Sequence, residues 1–219
     1  MIDVAANLAA VRARMSSAAQ RAGRDPETVR LIAVTKTKPA ALVRAAIDAG
    51  ATDIGENYVQ EASIKHAEVG EGARWHLIGH LQRNKAARAV EVFDCVQTVD
   101  NAALGAALSR HATAQGRLLR VLIEVRLGGE ATKAGVEPDQ LPALLDALRV
   151  PSLVVDGLMT VPPPGDPESA RPHFRALREW RDRLGLRELS MGMSDDFEVA
   201  IEEGATMVRV GRAIFGART

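Results

Sequence analysis

The sequence predicts an α/β chain whose strands close into a (β/α)8 barrel, and three observations carry that reading. Eight short runs of strand type recur along 219 residues, alanine- and leucine-rich stretches of helical period lie between them, and several of those stretches end in glycine. Strands alternating with helices pair in parallel, and eight repeats in about 200 residues favour closure over an open sheet. The expected architecture is a TIM-type barrel with an additional N-terminal helix, in one domain covering 1–219.

The runs are "RLIAVTK" (30–36), "ATDIGE" (51–56), "RWHLIG" (74–79), "FDCVQTV" (93–99), "LLRVLIEVRL" (118–127), "LVVDGLMTV" (153–161), "RELSMGM" (187–193) and "TMVRVG" (206–211). "PAALVRAAIDAG", "NAALGAALSRHATAQG" and "PDQLPALLDALR" supply crossover helices. Residues 2 to 23 form an amphipathic segment ahead of the first strand, expected as a helix outside the barrel or over its bottom. The Pro-rich "VPPPGDPESARPHF" follows the sixth strand and reads as a loop rather than a linker.

Composition narrows the function. Hydrophobic residues make up 47% and charged residues 26%, enough for one sizeable core. Lys plus Arg and Asp plus Glu each count 28, so no net charge steers the chain to nucleic acid or a membrane surface. The single cysteine, Cys95, can make no internal disulfide, and the first 23 residues lack an apolar block. A cytoplasmic protein with a small ligand is expected, and no metal site is read from the sequence.

In such a barrel the active site lies at the C-terminal ends of the strands. Period-two alternation places Ile32, Val34 and Lys36 on one face of the first strand and Leu31, Ala33 and Thr35 on the other. If Ile32 and Val34 face inward, Lys36 points into the top of an apolar barrel. Lys38 lies past the strand end and Pro39 suits the first helical position, so Lys38 reads as a solvated loop lysine. Desolvation would lower the Lys36 pKa and free its amine to attack a carbonyl. The alternative is an ion pair with an acid such as Glu56.

The C-terminal stretch adds an anion site. The last strand runs into Gly211, where the absence of a side chain lets an anion approach backbone amides, a common phosphate position in barrels. Ser194 in the preceding loop is expected to N-cap a short helix and offer its hydroxyl to the same phosphate, with Asp195 and Asp196 turned to solvent or cap contacts. Either feature alone is ordinary local structure. Arg209, inward by alternation, needs an acceptor: a carboxylate in a structural ion pair, the phosphate or a ring nitrogen.

"LIAVTKTKP", "GENYVQE", "WHLIGHLQRNK", "GLMT" and "SMGMSDDFEVAIEEGATMVRVGRAIFG" together resemble the pyridoxal phosphate homeostasis protein family, whose fold is similar to the barrel domain of alanine racemase. The resemblance is collinear from about Leu31 to Gly216. It implies a type III fold for pyridoxal 5'-phosphate, with the cofactor held as an aldimine (a Schiff base) on Lys36. It further implies that Ser194 and the amides around Gly211 and Arg212 hold the phosphate, that Arg209 lies beside the pyridine nitrogen, and that Asn57, His80 and Met159 line the pocket. From the residues alone, Asn57 could cap a helix, His80 could be a bonded loop histidine and Met159 plain packing. One departure is visible: the family's Ser-Lys pair after the fifth strand is Thr132-Lys133 here.

A racemase needs bases on both faces of the substrate carbon. Lys36 can be one, and the only tyrosine, Tyr58, sits just after the second strand. The resemblance and the lack of an apparent second base make the leading expectation a cofactor-binding protein, leaning away from an enzyme, that buffers or delivers this vitamin B6 cofactor, acts with acceptor enzymes and is monomeric. An amino-acid racemase is the alternative, and an aldolase using Lys36 a remoter one.

Overall fold

The computed structural model describes residues 2–128 and 134–217, so the Thr132-Lys133 pair lies outside the described residues. Strands β1 (Arg30–Val34), β2 (Asp53–Glu56), β3 (Arg74–Leu77), β4 (Cys95–Val99), β5 (Leu119–Glu124), β6 (Leu153–Met159), β7 (Glu188–Ser190) and β8 (Met207–Val210) pair in parallel in chain order. β8 returns to β1, setting Ile32 opposite Arg209, and the barrel closes. Every expected run contains a strand, each shorter than its run. The 30–36 run stops at Val34 because the chain turns there, with the Lys38 amide donating to Thr35 O at 3.0 Å.

Helices α2 (Ala40–Asp48), α3 (Val59–Val69), α4 (Ala86–Val92), α5 (Ala102–Ala114), α6 (Leu141–Ala147), α7 (Arg171–Arg183), α8 (Phe197–Glu202) and α9 (Arg212–Phe215) follow the eight strands in turn. Helix α1 (Val4–Arg21) precedes them, begun by the Asp3 carboxylate accepting from the Ala6 amide at 2.9 Å. Its Leu8, Val11, Met15, Ala18 and Ala19 recur at helical spacing and are buried. They pack against α2, α8 and α9 outside the barrel wall, not over its bottom. Because α9 has only four residues, α1 supplies the surface that a full eighth helix would cover.

Alternation sorts the core. Ala33, Ile54, Trp75, Leu77 and Val96 face outward into the layer beneath the helices, whereas Ile32, Cys95, Leu122, Met159 and Met207 form a separate cluster inside the barrel. The interior is not the apolar plug expected: His76, Gln97 and Ser190 are buried there too, because inward positions of several strands carry polar residues. Salt bridges Arg30–Glu188, Arg74–Asp53 and Arg120–Asp156 gather at the strands' N-terminal ends. No helix among the described residues is long and apolar enough to cross a membrane.

β6 and β7 approach each other at Gly157, where an added Cβ would lie 2.0 Å from Glu188 O. Backbone cannot yield as a flexible side chain does. Gly157→Ala is therefore expected to lower the unfolding free energy by about 3 kcal/mol, read from the urea midpoint.

Candidate functional site

A cavity of about 640 Å³ opens at the C-terminal ends of the strands around the β1–β8 seam. Lys36, Asn57, Ser194, Arg209, Gly211 and Arg212 all line it. The structure does not bring His80 or Met159 there: His80 is exposed on the loop after β3, and Met159 is wholly buried in the interior cluster. Lys38 is a correction. It is buried, not solvated, because its Nζ reaches back to donate to Ala217 O at 2.8 Å across the cavity rim.

Lys36 is carried by a strained turn. Thr37 takes φ 64°, unusual for a β-branched residue, and its amide donates to Glu61 Oε1 at 2.6 Å. The same oxygen accepts from Lys65 Nζ at 2.6 Å, and Lys65 also donates to Glu56 Oε1 at 2.7 Å and Thr35 O at 2.6 Å. Glu56 Oε1 takes a further bond from Thr35 Oγ1 at 2.6 Å. The acid considered as a partner for Lys36 is thus engaged by Lys65, a residue that sequence reasoning missed. Burial pushes the Glu56 carboxyl up, against the opposing pull of Lys65 and Thr35.

Asn57 is no helix cap: Tyr58 occupies the α3 N-cap, and Asn57 Oδ1 is buried with no hydrogen-bond partner among the described residues. Its backbone is held against Gly79, where a Cβ would lie 2.3 Å from Asn57 O. The glycine of "LIGH" therefore permits that approach.

Across the cavity Ser194 differs from expectation. The N-cap of α8 is Asp196, two residues later; its side chain makes no capping bond to the helix and instead its Oδ1 accepts from the Met193 amide at 2.6 Å, within the preceding loop. Ser194 remains in the cavity wall, its Oγ 3.4 Å from the Ala213 amide that opens α9. Asp195 is exposed and paired with the Arg212 guanidinium at the rim. Arg209, 4% exposed, donates to Ser190 Oγ at 2.7 Å and Thr160 O at 2.8 Å, and none of its hydrogen bonds among the described residues goes to a carboxylate. Burial lowers its pKa to about 10, so it stays charged at neutral pH.

A smaller cavity of about 230 Å³ adjoins, lined by Glu124, Val161 and Pro163. Burial first, and the Asp100 charge second, raise the Glu124 carboxyl to about 7, with Arg209 pulling the other way. Its Oε2 lacks a hydrogen-bond partner among the described residues. No group of His, Cys, Asp or Glu there could hold a metal ion among the described residues.

Two outcomes follow from these burials. Lys65→Met leaves the buried Glu56 without its cation and bonded only to the Thr35 hydroxyl, so it is expected to cost about 3–5 kcal/mol in urea unfolding, partly recovered when Glu56→Gln is added. Folded Glu124 holds its proton up to about 7 against 4.5 in the ordinary range, so its contribution is full at low pH and is lost as pH rises through 7. Glu124→Gln removes that loss. The stability of the variant relative to wild type should rise between about pH 5 and pH 8, by on the order of 1–3 kcal/mol.

The family model for the alanine racemase N-terminal domain matches residues 6–219. The pyridoxal phosphate homeostasis protein of Pseudomonas aeruginosa is 50% identical over 224 residues, which span 100% of this chain and 97% of that protein. Its Escherichia coli counterpart is 44% identical, over 100% and 98% respectively. Among solved structures, PipY of Synechococcus elongatus with pyridoxal phosphate bound superposes with TM-score 0.85 at 38% identity, covering 98% of this chain and 100% of that one. Alanine racemase of Clostridium difficile, 13% identical with TM-score 0.74 over 98% of this chain and 56% of that one, shares the fold alone. From full-length agreement in sequence and fold, the chain belongs to the pyridoxal phosphate homeostasis protein family.

Proposed function

We propose that this chain binds pyridoxal 5'-phosphate on Lys36 and serves intracellular homeostasis of the cofactor, as a cytoplasmic monomer that exchanges it with acceptor enzymes. The observation that carries the reading is the meeting of Lys36, Ser194, Arg209 and the opening of α9 on one cavity. An amine, a hydroxyl, backbone amides at a helix opening and a fixed cation are the groups that an anionic aldehyde requires. The bound form of PipY supports the same assignment.

The residues fit the group. Lys36 would hold its aldehyde carbon, Ser194 Oγ and the amides around Gly211 and Arg212 its phosphate, and Arg209 would lie beside its ring. Arg209 has five N–H groups, of which two are committed to Ser190 and Thr160, so donors remain for the cavity. Asn57 Oδ1, buried without a partner among the described residues, offers an acceptor. When bound, the cofactor supplies an electrophilic carbon and an electron-withdrawing ring. A permanently charged arginine there would donate to the ring nitrogen without protonating it, which would weaken carbanion chemistry without abolishing it.

Racemisation would need a second base. Tyr58 is 59% exposed and does not line the cavity. Storage and transfer need only Lys36 and the anion site.

The test is the visible spectrum of purified wild type and Lys36→Ala after incubation with the cofactor, followed by borohydride reduction and peptide mass analysis. Wild type should turn yellow and carry the reduced cofactor on the Lys36 peptide, and the variant should not. A wild type that takes up none would overturn the proposal, and exchange of the α-hydrogen of an added amino acid would favour the racemase.

A further inference from the structure

Five buried side chains form one hydrogen-bonded line across the inside of the barrel. Asp53 Oδ1 meets His76 Nε2 at 2.9 Å, His76 Nδ1 meets Gln97 Nε2 at 3.0 Å, Gln97 Oε1 meets Ser190 Oγ at 2.6 Å, and Ser190 Oγ meets Arg209 at 2.7 Å. None of the five is more than 4% exposed. The line starts at the Arg74–Asp53 salt bridge, where Arg74 is half in solvent, and ends at the guanidinium that lines the cavity.

The order of protons along it is fixed by chemistry. Arg209 can only donate, so Ser190 Oγ accepts from it and spends its single proton on Gln97 Oε1. Gln97 then presents its NH2 to His76, whose Nδ1 must accept. His76 therefore carries its proton on Nε2 and gives it to Asp53. Burial alone would raise the Asp53 carboxyl, but the bonds from His76 and Arg74 outweigh it and hold the group well below the usual range, so Asp53 is an anion that only accepts. A second proton on His76 would reverse the Gln97 amide and leave Ser190 facing two donors with its own proton unplaced. One arrangement satisfies all five groups.

A barrel of this kind is ordinarily filled by layers of apolar side chains, as the cluster of Ile32, Leu122 and Met159 fills part of this one. Four polar residues set at inward positions of β2, β3, β4 and β7 thus call for a reason, and the reason lies at the end that opens on the cavity. We propose that Asp53, His76, Gln97 and Ser190 are positioning residues: the anion at the base of the barrel selects the His76 tautomer, and the line of donors relays that choice to fix where Arg209 points. The inference rests on the reading that pyridoxal phosphate occupies the cavity with Arg209 beside its ring.

The test separates relay from packing by altering His76 in two ways. Asn imitates Nδ1 and can keep the acceptor for Gln97, whereas Gln imitates Nε2 and keeps only the bond to Asp53. Cofactor affinity and the absorption maximum of the loaded protein are measured for wild type, His76→Asn, His76→Gln and Gln97→Leu, with melting temperatures alongside. Gln97→Leu and His76→Gln should bind about ten-fold more weakly with a shifted absorption band, the scale of one lost hydrogen bond, while His76→Asn stays within about three-fold. Equal effects for both His76 variants, or wild-type affinity in Gln97→Leu, would overturn the relay. In the unloaded protein, imidazole nitrogen shifts should report the Nε2–H tautomer, and guanidinium proton exchange at Arg209 should quicken in Gln97→Leu; the opposite tautomer or unchanged exchange would overturn it. A wild type that takes up no cofactor defeats the binding reading instead, and the unloaded measurements still decide whether the line holds Arg209.

Discussion

A guanidinium buried to 4% exposure without a carboxylate bonded to it, among the described residues, is the constraint around which the barrel mouth is arranged. Removing that charge from water is costly unless its donors are met, and here a hydroxyl and a carbonyl meet them. Neutral acceptors leave the positive charge without a bonded counter-ion, and the carboxyls of Asp196 and Glu124 act on it only through space. A carboxylate at the same place would have formed a closed ion pair with little attraction left for a ligand. Arg209 therefore remains a cation directed at the cavity, although 28 positive and 28 negative residues leave the chain formally neutral.

Another buried cation, Lys65, is treated in the opposite way. Lys65 is satisfied by two carboxylates and a carbonyl, and the product is rigidity rather than field. Glu61 bonds both Lys65 and the Thr37 amide, so the left-handed residue is fastened from α3 and Lys36 leaves the strand in a set direction. Lys38 ties the other side of that turn to Ala217. The lysine of interest thus stands between two anchored neighbours.

Much of this was legible in the sequence, for a definite reason. The alternation that makes strands visible also groups residues by face, so once Ile32 and Val34 are taken as inward Lys36 falls at the barrel top, and Arg209 is inward by the same alternation. Facing is not pairing. Asp53, His76, Gln97 and Ser190 were readable as polar residues in strand runs, but their partners lie on other strands, Gln97 and Ser190 being 93 residues apart. Capping failed at Ser194 because its hydroxyl faces the Ala213 amide, while α8 begins after Asp196, whose carboxylate bonds the loop amide of Met193 rather than a helix amide. Lys38 was read as solvated because its acceptor, the Ala217 carbonyl, is brought to it only by barrel closure.

The two sides of the mouth also differ in how they answer a change of charge. Around the β1–β8 seam the cations Lys36, Lys38, Arg209 and Arg212 line the cavity, with Asp195 as the acid at its rim. At the end of β5 stands Glu124, close enough to Arg209 for each to shift the other. A fully ionised carboxylate there would repel an anionic ligand and drain the field of Arg209. Burial works against this by raising the Glu124 carboxyl to about 7. Desolvation thereby tempers the acids that act on Arg209: the hydrogen-bonded line from Asp53 fixes where Arg209 points, and burial raises both Asp196 and Glu124, the two carboxyls that act on its charge.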